Sequence, residues 1–553
     1  MSKTFRILLR QLVAPAGEKE SRLPARAAAR LGCAVEDVLF CEPVRRSLDA
    51  RKRRGKAVNV YHVRLELPNK LHRQLRKAKH LDVVFETGGP NLKLDLTDPA
   101  PAPGRSRPLV VGAGPAGLYA ALRLARAGWK PILIERGDEL AARRRVVANF
   151  WRTGILDPES NVLYGQGGAG LFSDGKLNTR HKDREGLRNI LAVMVEHGAP
   201  ESILLDAEPH VGSDRLGEVV AGIAAEIVRW GGEVRFRCRL HGLVADGGRI
   251  REAMVISAAG SERLPIEACI LATGHSARDI YETLHRSGVA MEAKPFAIGV
   301  RVEMPQAAID SSQRVGPFKP TQGDAASFRL SRAPSGEAAA CYTFCMCPGG
   351  QVIACASEPG RLAVNGMSYH ARAGEWGNAA FLTPVTAADF AQFVGEGAPP
   401  ALAGIALQRH WEEKAWLAGG RDYAVPAVRL EDFVAGRVGD LPDIRGVDRA
   451  VAAELRAILP ESVTRTLADA VPAMLRRLRA VHLDDVVLYG VETRTSSPVR
   501  ILRSRRGESV TCAGLYPAGE GSGHAGGIMT SALDGWNSAG LVMHNARGAG
   551  KIG

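Results

Sequence analysis

The sequence predicts an α/β protein: a doubly wound parallel-sheet domain, interrupted by an inserted α+β segment and preceded by a small βαββαβ domain. Three observations carry this. Residues 109–135, LVVGAGPAGLYAALRLARAGWKPILIE, run as strand, glycine turn, amphipathic helix and second strand. Two further glycine-rich strand ends, ILATGHSARD at 270–279 and YPAGEGSGHAGG at 516–527, lie far apart, and between about 295 and 480 the composition shifts to mixed strands and then Ala-rich helices. A Pro-, Ala- and Gly-rich stretch, DPAPAPGRSR at 98–107, reads as a linker that sets the first hundred residues apart. A chain of 553 residues is too long for one core, and roughly two to four domains is the expectation.

The N-terminal domain, 1–97, is read element by element. FRILLRQLV alternates as a strand, ESRLPARAAARL has helical spacing, DVLFCEPV and AVNVYHVRLEL are strands, NKLHRQLRKA is a helix and LDVVFE a last strand. That order is the ferredoxin-like plan. Residues 1–107 hold 23 Lys and Arg against 11 Asp and Glu, a balance of +12 out of +14 for the chain. The loop RRSLDARKRRGK, 45–56, alone carries seven basic residues. Such a face suits a nucleic acid, an anionic membrane surface or an acidic protein, or simply solvates the domain. A base-stacking sheet needs aromatics in a defined strand motif, and here Tyr61 stands alone.

With 45% apolar and 24% charged residues the composition is that of a soluble globular protein. No run approaches a membrane span, the N-terminus lacks a secretory pattern, and nine scattered cysteines do not form a disulfide framework. A cytoplasmic protein with reduced thiols is expected.

In the fingerprint, Gly112 permits a sharp turn, Gly114 lets a pyrophosphate approach the backbone and Gly117 lets helix and strand pack closely. The helix start offers free N–H groups and a positive dipole to phosphates. Glu135 ends the second strand, 23 residues after Gly112, where it can accept from ribose hydroxyls. Alone, this pattern fits FAD or NAD equally. With ATG at 272–274 and Gly519-Glu520 before a last helix, the chain resembles the glutathione-reductase-like FAD fold, in which that helix start faces the flavin pyrimidine edge.

The resemblance widens with SLDARKR (47–53), GQGGAGLFSDGKLNTR (165–180), LATGHSARDIYETL (271–284), KPFAIGVRVE (294–303), TFCMCPGG (343–350), NGMS (365–368), GVETRTSSPVRI (490–501) and GLYPAGEGSGHAGGI (514–528). On these motifs the chain is similar to the bacterial family of FAD-utilising dehydrogenases. The resemblance implies a Rossmann-like FAD-binding domain at 108–290 and 485–553, with a substrate domain inserted at 291–484. It implies FAD contacts at Gly112, Gly114, Ala116, Gly117, Glu135, Arg136, Gly167, Gly168, Ser173, Asp174, Leu240, Thr273, Gly274, Gly519, Glu520, Gly526, Gly527 and Ile528. Met304 and His524 depart from the family, which usually has His and Tyr there.

For chemistry, Lys176 is placed near the flavin N5 by the resemblance, and Arg494 suits a substrate carboxylate or phosphate, or else a structural ion pair with Glu492. His275 either donates a proton or shapes the turn, with Ser276 and Asp279 capping the next helix. Cys341, Cys345 and Cys347 share one face of an ideal strand, as core thiols or as a redox or acid thiol toward the flavin; their spacing suits no common metal site. The expected function is hydride transfer through FAD on a small-molecule substrate, with NAD(P)H as a transient donor since one complete fingerprint is present. An RNA-modifying flavoenzyme using residues 1–97 and a non-catalytic FAD-bound redox sensor are the alternatives.

Overall fold

The computed structural model describes residues 4–49, 57–78, 81–86, 98–313, 325–336, 338–442 and 446–548. Contacts divide the chain into a unit of Met1–Asp95, Pro200–His210 and Gln313–Pro320, and a unit of Leu96–Ala199, Val211–Ser312 and Thr321–Gly553.

In the smaller unit Thr4–Pro15, Phe40–Asp49, Val58–Pro68 and Val83–Glu86 are strands, with helices Leu23–Leu31 and His72–Lys77 in the two crossovers. The strands form one antiparallel sheet in the order second, third, first, fourth. Alternation does the work: Tyr61, Val63, Leu65 and Leu67 point to one side with Ile7 and Leu9, and Leu23, Ala27 and Leu31 close over them at helical spacing. Tyr61 is 2% exposed inside this core, so it is no platform for a stacked base. Residues 200–210 belong here because Arg46 bonds backbone and side chain to them: its N–H reaches Leu205 O at 2.7 Å and its guanidinium reaches Asp206 at 2.9 Å. The basic loop lies outside the described residues from 50 to 56.

The larger unit is built on a five-stranded parallel sheet in the order Leu515–Pro517, Cys269–Leu271, Leu109–Val111, Ile132–Ile134, Glu233–Arg235. The strands LVV, ILI and CIL are buried throughout, as a sheet covered on both faces requires. From Leu109–Val111 the chain first builds outward on one side, then returns to the other at Cys269–Leu271. The switch point therefore falls between those two strands, where α/β sheets open a crevice at their carboxyl ends.

The insertion is a seven-stranded sheet in the order Ser331–Arg332, Cys341–Cys347, Trp376–Val385, Phe296–Pro305, Val487–Glu492, Val425–Arg429, Ala450–Ala452. Helices Ala403–Ala418 and Glu461–Leu475 contribute Leu407, Ala415, Leu467 and Val471 to its core. Strand Val487–Glu492 is a member of this sheet, whereas the sequence reading ended the insertion at 484. A short apolar run does not reveal which sheet it joins. Asp98 and Pro99 are likewise tied down and not free linker: Asp98 accepts two bonds from Arg123 at 2.7 Å, and Pro99 O accepts one from Trp129 at 2.7 Å.

The last helix, Ile528–Gly548, packs along Pro115–Arg126, and a Cβ on Gly535 would stand 1.9 Å from Ala116 O. Gly535→Val is therefore expected to wedge the two helices apart, lowering stability by about 1–3 kcal/mol or more. Denaturant unfolding checks it; an unchanged midpoint would contradict so close a contact.

Candidate functional site

The crevice starts at Gly112, which leaves the first strand at φ +103° with a hypothetical Cβ 2.4 Å from Ala272 O. The first glycine turn and the Ala272-Thr273-Gly274 turn thus touch at the switch point, and Gly114 follows as the residue before helix Pro115–Arg126. Against this turn lies the second glycine cluster. Gly167 N–H donates to Ala113 O at 2.8 Å, and a Cβ on Gly168 would come within 3.0 Å of Gly114 Cα. The cluster is a loop laid on the first turn.

Two side chains hold that loop. Glu135 Oε2 accepts from Ala113 N–H at 2.7 Å, and Oε1 accepts from Gly137 and Gly165 N–H at 2.9 Å each. The acid expected to meet ribose therefore pins both glycine segments, lines the crevice, and accepts only one of these bonds at Oε2. Arg143, fully buried, donates to the carbonyls of Asn161, Val162, Gly165, Gln166 and Gly168. Burial pushes its guanidinium down to about 9. Sequence reasoning missed it, because ARRRVV presents three adjacent arginines and no local signal selects one.

One cavity is lined by Gly112, Gly114, Ala116, Glu135, Arg136, Gly168, Ser173, Asp174, Lys176, Leu240, Thr273, Gly274, Arg494, Gly519, Glu520, Gly527 and Ile528. It is also lined by residues the sequence did not single out, among them Arg239, Phe344, Asn365 and Thr495. Gly117, Gly167 and Gly526 stand off the wall. A Cβ on Gly117 would meet Gly112 O at 1.8 Å, so its service is helix–strand packing. Gly526 N–H turns to Thr530 Oγ1 at 3.0 Å.

Several expected roles change. Ser173 Oγ donates to Gly170 O at 2.7 Å and accepts from Gly175 N–H at 3.1 Å, and the carboxylate of Asp174, 1% exposed, is engaged by Ser368 and Arg372. Both side chains are already committed within the protein. Lys176 donates to Met346 O and lies 3.8 Å from Asp174. Arg494 pairs bidentately with Glu412 at 2.9 and 2.7 Å and donates to Ser357 at 2.7 Å. It shares that carboxylate with Arg278, and Glu492, the expected partner, pairs instead with Arg301 at 2.7 and 2.8 Å.

His275 lines the cavity, and burial pushes it down to about 4, so it stands neutral. Asp279 pairs with Arg136 at 3.0 Å and does not cap: the helix starting at Arg278 has Ala277 at its N-cap, with no side-chain cap bond. Met304 is core, and His524 Nε2 sits 3.0 Å from Ile501 O. The three cysteines do not share a face. The ladder slips between Phe344 and Cys347, so Cys341 and Cys347 are buried while Cys345 lines the cavity.

The cavity fits FAD. Gly112, Gly114, Gly168, Gly274, Gly519 and Gly527 make a wall free of side chains beside the starts of two helices, Pro115–Arg126 and Ile528–Gly548. Glu520, pushed up to about 7 by burial, accepts from Gly527 N–H at 3.3 Å and faces the same space.

A family model described as "Pyridine nucleotide-disulphide oxidoreductase" matches residues 106–298, and one described as "FAD-dependent protein, C-terminal domain-like" matches residues 295–495. With the glycine-walled crevice between them, they define an FAD-dependent oxidoreductase. A Clostridium beijerinckii chain described as "Uncharacterized protein" is 39% identical over 515 residues, 92% of each chain. This chain belongs to the same family as that relative, and its two matched segments make it an FAD-dependent one. Among solved structures, CmlS, a flavin-dependent halogenase, is 11% identical with a TM-score of 0.36, covering 81% of this chain and 60% of its own. Glycine oxidase from Bacillus cereus is 11% identical with a TM-score of 0.30, covering 80% and 96%.

Proposed function

We propose that the protein is a dehydrogenase-type flavoenzyme that exchanges hydride with a small molecule held between the crevice and the insertion. The observation that carries this is the makeup of one cavity wall: nucleotide-type glycine turns on one part, and Phe344, Cys345 and Asn365 of the inserted segment on another. Bound FAD supplies a two-electron acceptor and donor at its flavin N5. The chain's own residues divide the remaining tasks. Gly112, Gly114 and Gly168 let phosphates approach the backbone, and Glu135 meets ribose. Leu163, Ala277 and Ile280 form an apolar part of the cavity wall beside Leu240. Lys176 brings a cation to the cavity, where it favours a substrate that carries or develops negative charge. NAD(P)H is the proposed transient electron donor.

The test is anaerobic reduction of the purified protein, followed by a screen for compounds that restore the oxidised absorbance. A yellow protein reoxidised by one compound class within a turnover time is expected. A protein that stays colourless after reconstitution with FAD would refute the reading.

A further inference from the structure

Proposed hydride transfer leaves one hydrogen-bond donor of the cavity wall without a task. Asn365 lies in strand Ala363–Met367 of the insertion, which pairs antiparallel with Gln351–Cys355, and it lines the cavity. Its amide has one possible orientation. Oδ1 accepts from Arg301 Nη2 at 2.9 Å and from Gly366 N–H at 2.8 Å, and neither partner can accept a bond in return. Arg301, 0% exposed, is itself fixed by both oxygens of Glu492 at 2.7 and 2.8 Å and by Asn378 Oδ1 at 3.1 Å. Among the described residues Nδ2 finds no partner, yet it is not one of the enclosed unbonded polar atoms, so it keeps access to the cavity that Asn365 lines.

The charge beside this donor is positive. Arg301 also donates to Cys345 O at 2.8 Å, and Lys176 donates to the next carbonyl of the chain, Met346 O, so consecutive residues of one strand hold the amide's anchor and the ammonium. Asp174 lies 3.8 Å from Lys176, but both its oxygens are taken by Arg372, which leaves two cations to one acid. The other charged groups of the wall are matched: Glu492 by Arg301, Arg494 by Glu412, Arg136 and Arg239 by a shared Glu159, and Glu135 by three backbone N–H groups. Burial pushes Glu520 up to about 7 and keeps His275 neutral. Phe344, 46% exposed, adds apolar surface to the same wall.

We propose that Asn365 is a specificity-determining residue of this site, its Nδ2–H donating to a carboxylate oxygen of the substrate beside the Lys176 ammonium. The assignment rests on the hydride-transfer reading and narrows its substrate class to an organic carboxylate whose apolar part meets Phe344. An ionised oxygen gains more from these two donors than a neutral one, because charge-assisted hydrogen bonds are roughly twice as strong. A methyl ester keeps the acceptor oxygens and loses the charge.

The test is titration of the FAD-loaded full chain with acetate, pyruvate, succinate and benzoate, each against its methyl ester, read as perturbation of the flavin absorbance. At least one acid is expected to bind at least ~10-fold more tightly than its ester. Asn365→Asp replaces the donor by an acceptor of the same shape that Arg301 can still hold; it should raise the Kd of that acid at least ~10-fold and abolish the difference between acid and ester, at unchanged FAD content. Lys176→Gln should weaken the acid and spare the ester. An FAD-loaded wild type that takes acid and ester alike, or takes neither, overturns this inference alone. Loss of FAD from Asn365→Asp also overturns it, by assigning the amide to the cofactor. Failure of the wild type to bind FAD overturns the proposed function and the substrate class with it.

Discussion

Gly112→Val is expected to yield a folded but colourless protein with FAD affinity reduced at least ~100-fold, equivalent to about 2.7 kcal/mol. Two costs act together. The residue sits at φ +103°, where a β-branched side chain is strained, and its Cβ would press against Ala272 O at 2.4 Å. The carbonyl belongs to the second turn of the crevice, so relief of the clash must spread the two strand ends between which the cofactor is proposed to lie. The ratio of flavin to protein absorbance after purification, followed by titration with FAD, measures the effect. Wild-type stoichiometry in this variant would show that the crevice is not the FAD site.

The second large effect is expected at Glu412. Its carboxylate, 0% exposed, takes bidentate pairs from Arg278 at 2.8 and 2.9 Å and from Arg494 at 2.9 and 2.7 Å. These bonds tie helix Ala403–Ala418 of the insertion to the helix that starts at Arg278 and to the segment after Glu492. Glu412→Ala leaves the buried Arg494 without its carboxylate and Arg278 with Glu358 alone, and a loss of about 3–5 kcal/mol in stability is expected. Replacing Arg278 and Arg494 by methionine in the same chain should recover part of it, because the uncompensated charges go too. A single-variant unfolding midpoint equal to wild type would contradict the pairing.

The same cluster sets an acid limit. Arg278 and Arg494 hold Glu412 far below the usual carboxylate range, and Arg278 and Arg409 hold Glu358 down to about 2. Groups whose folded pKa is depressed add stability that is complete above the unfolded value of about 4.3 and is lost as pH falls through the folded value. Stability should therefore decline steadily below about pH 4 in the wild type, and less steeply in Glu412→Ala. Thermal midpoints across that range provide the check.

Much of the crevice was legible because its determinants are local. A glycine at a turn, an apolar strand of three residues and a helix start are encoded within about thirty residues of one another, and their joint spacing has few other uses. Gly112, Gly114, Glu135 and Gly519 could be named from sequence and all line the cavity. The partners of the charged residues could not be assigned in this way. Lys176 and Asp174 both line the cavity, but no local pattern shows that Arg372, 198 residues away, binds Asp174. Arg143, one of three adjacent arginines with no local signal to single it out, helps hold the second glycine loop.

By itself the sequence determined that there is a parallel sheet with a nucleotide-type turn, a second glycine loop, an insertion, and a basic N-terminal segment, since each follows from short-range spacing and composition. Only the tertiary structure decided which charges pair with one another and which thiols line the cavity. The reason is physical: Arg494 and Glu412 are 82 residues apart, Arg278 and Glu412 are 134 apart, and the kink that turns Cys345 outward arises from a slipped pairing with another strand. Such partnerships depend on where the folded chain brings side chains together, which no local pattern records.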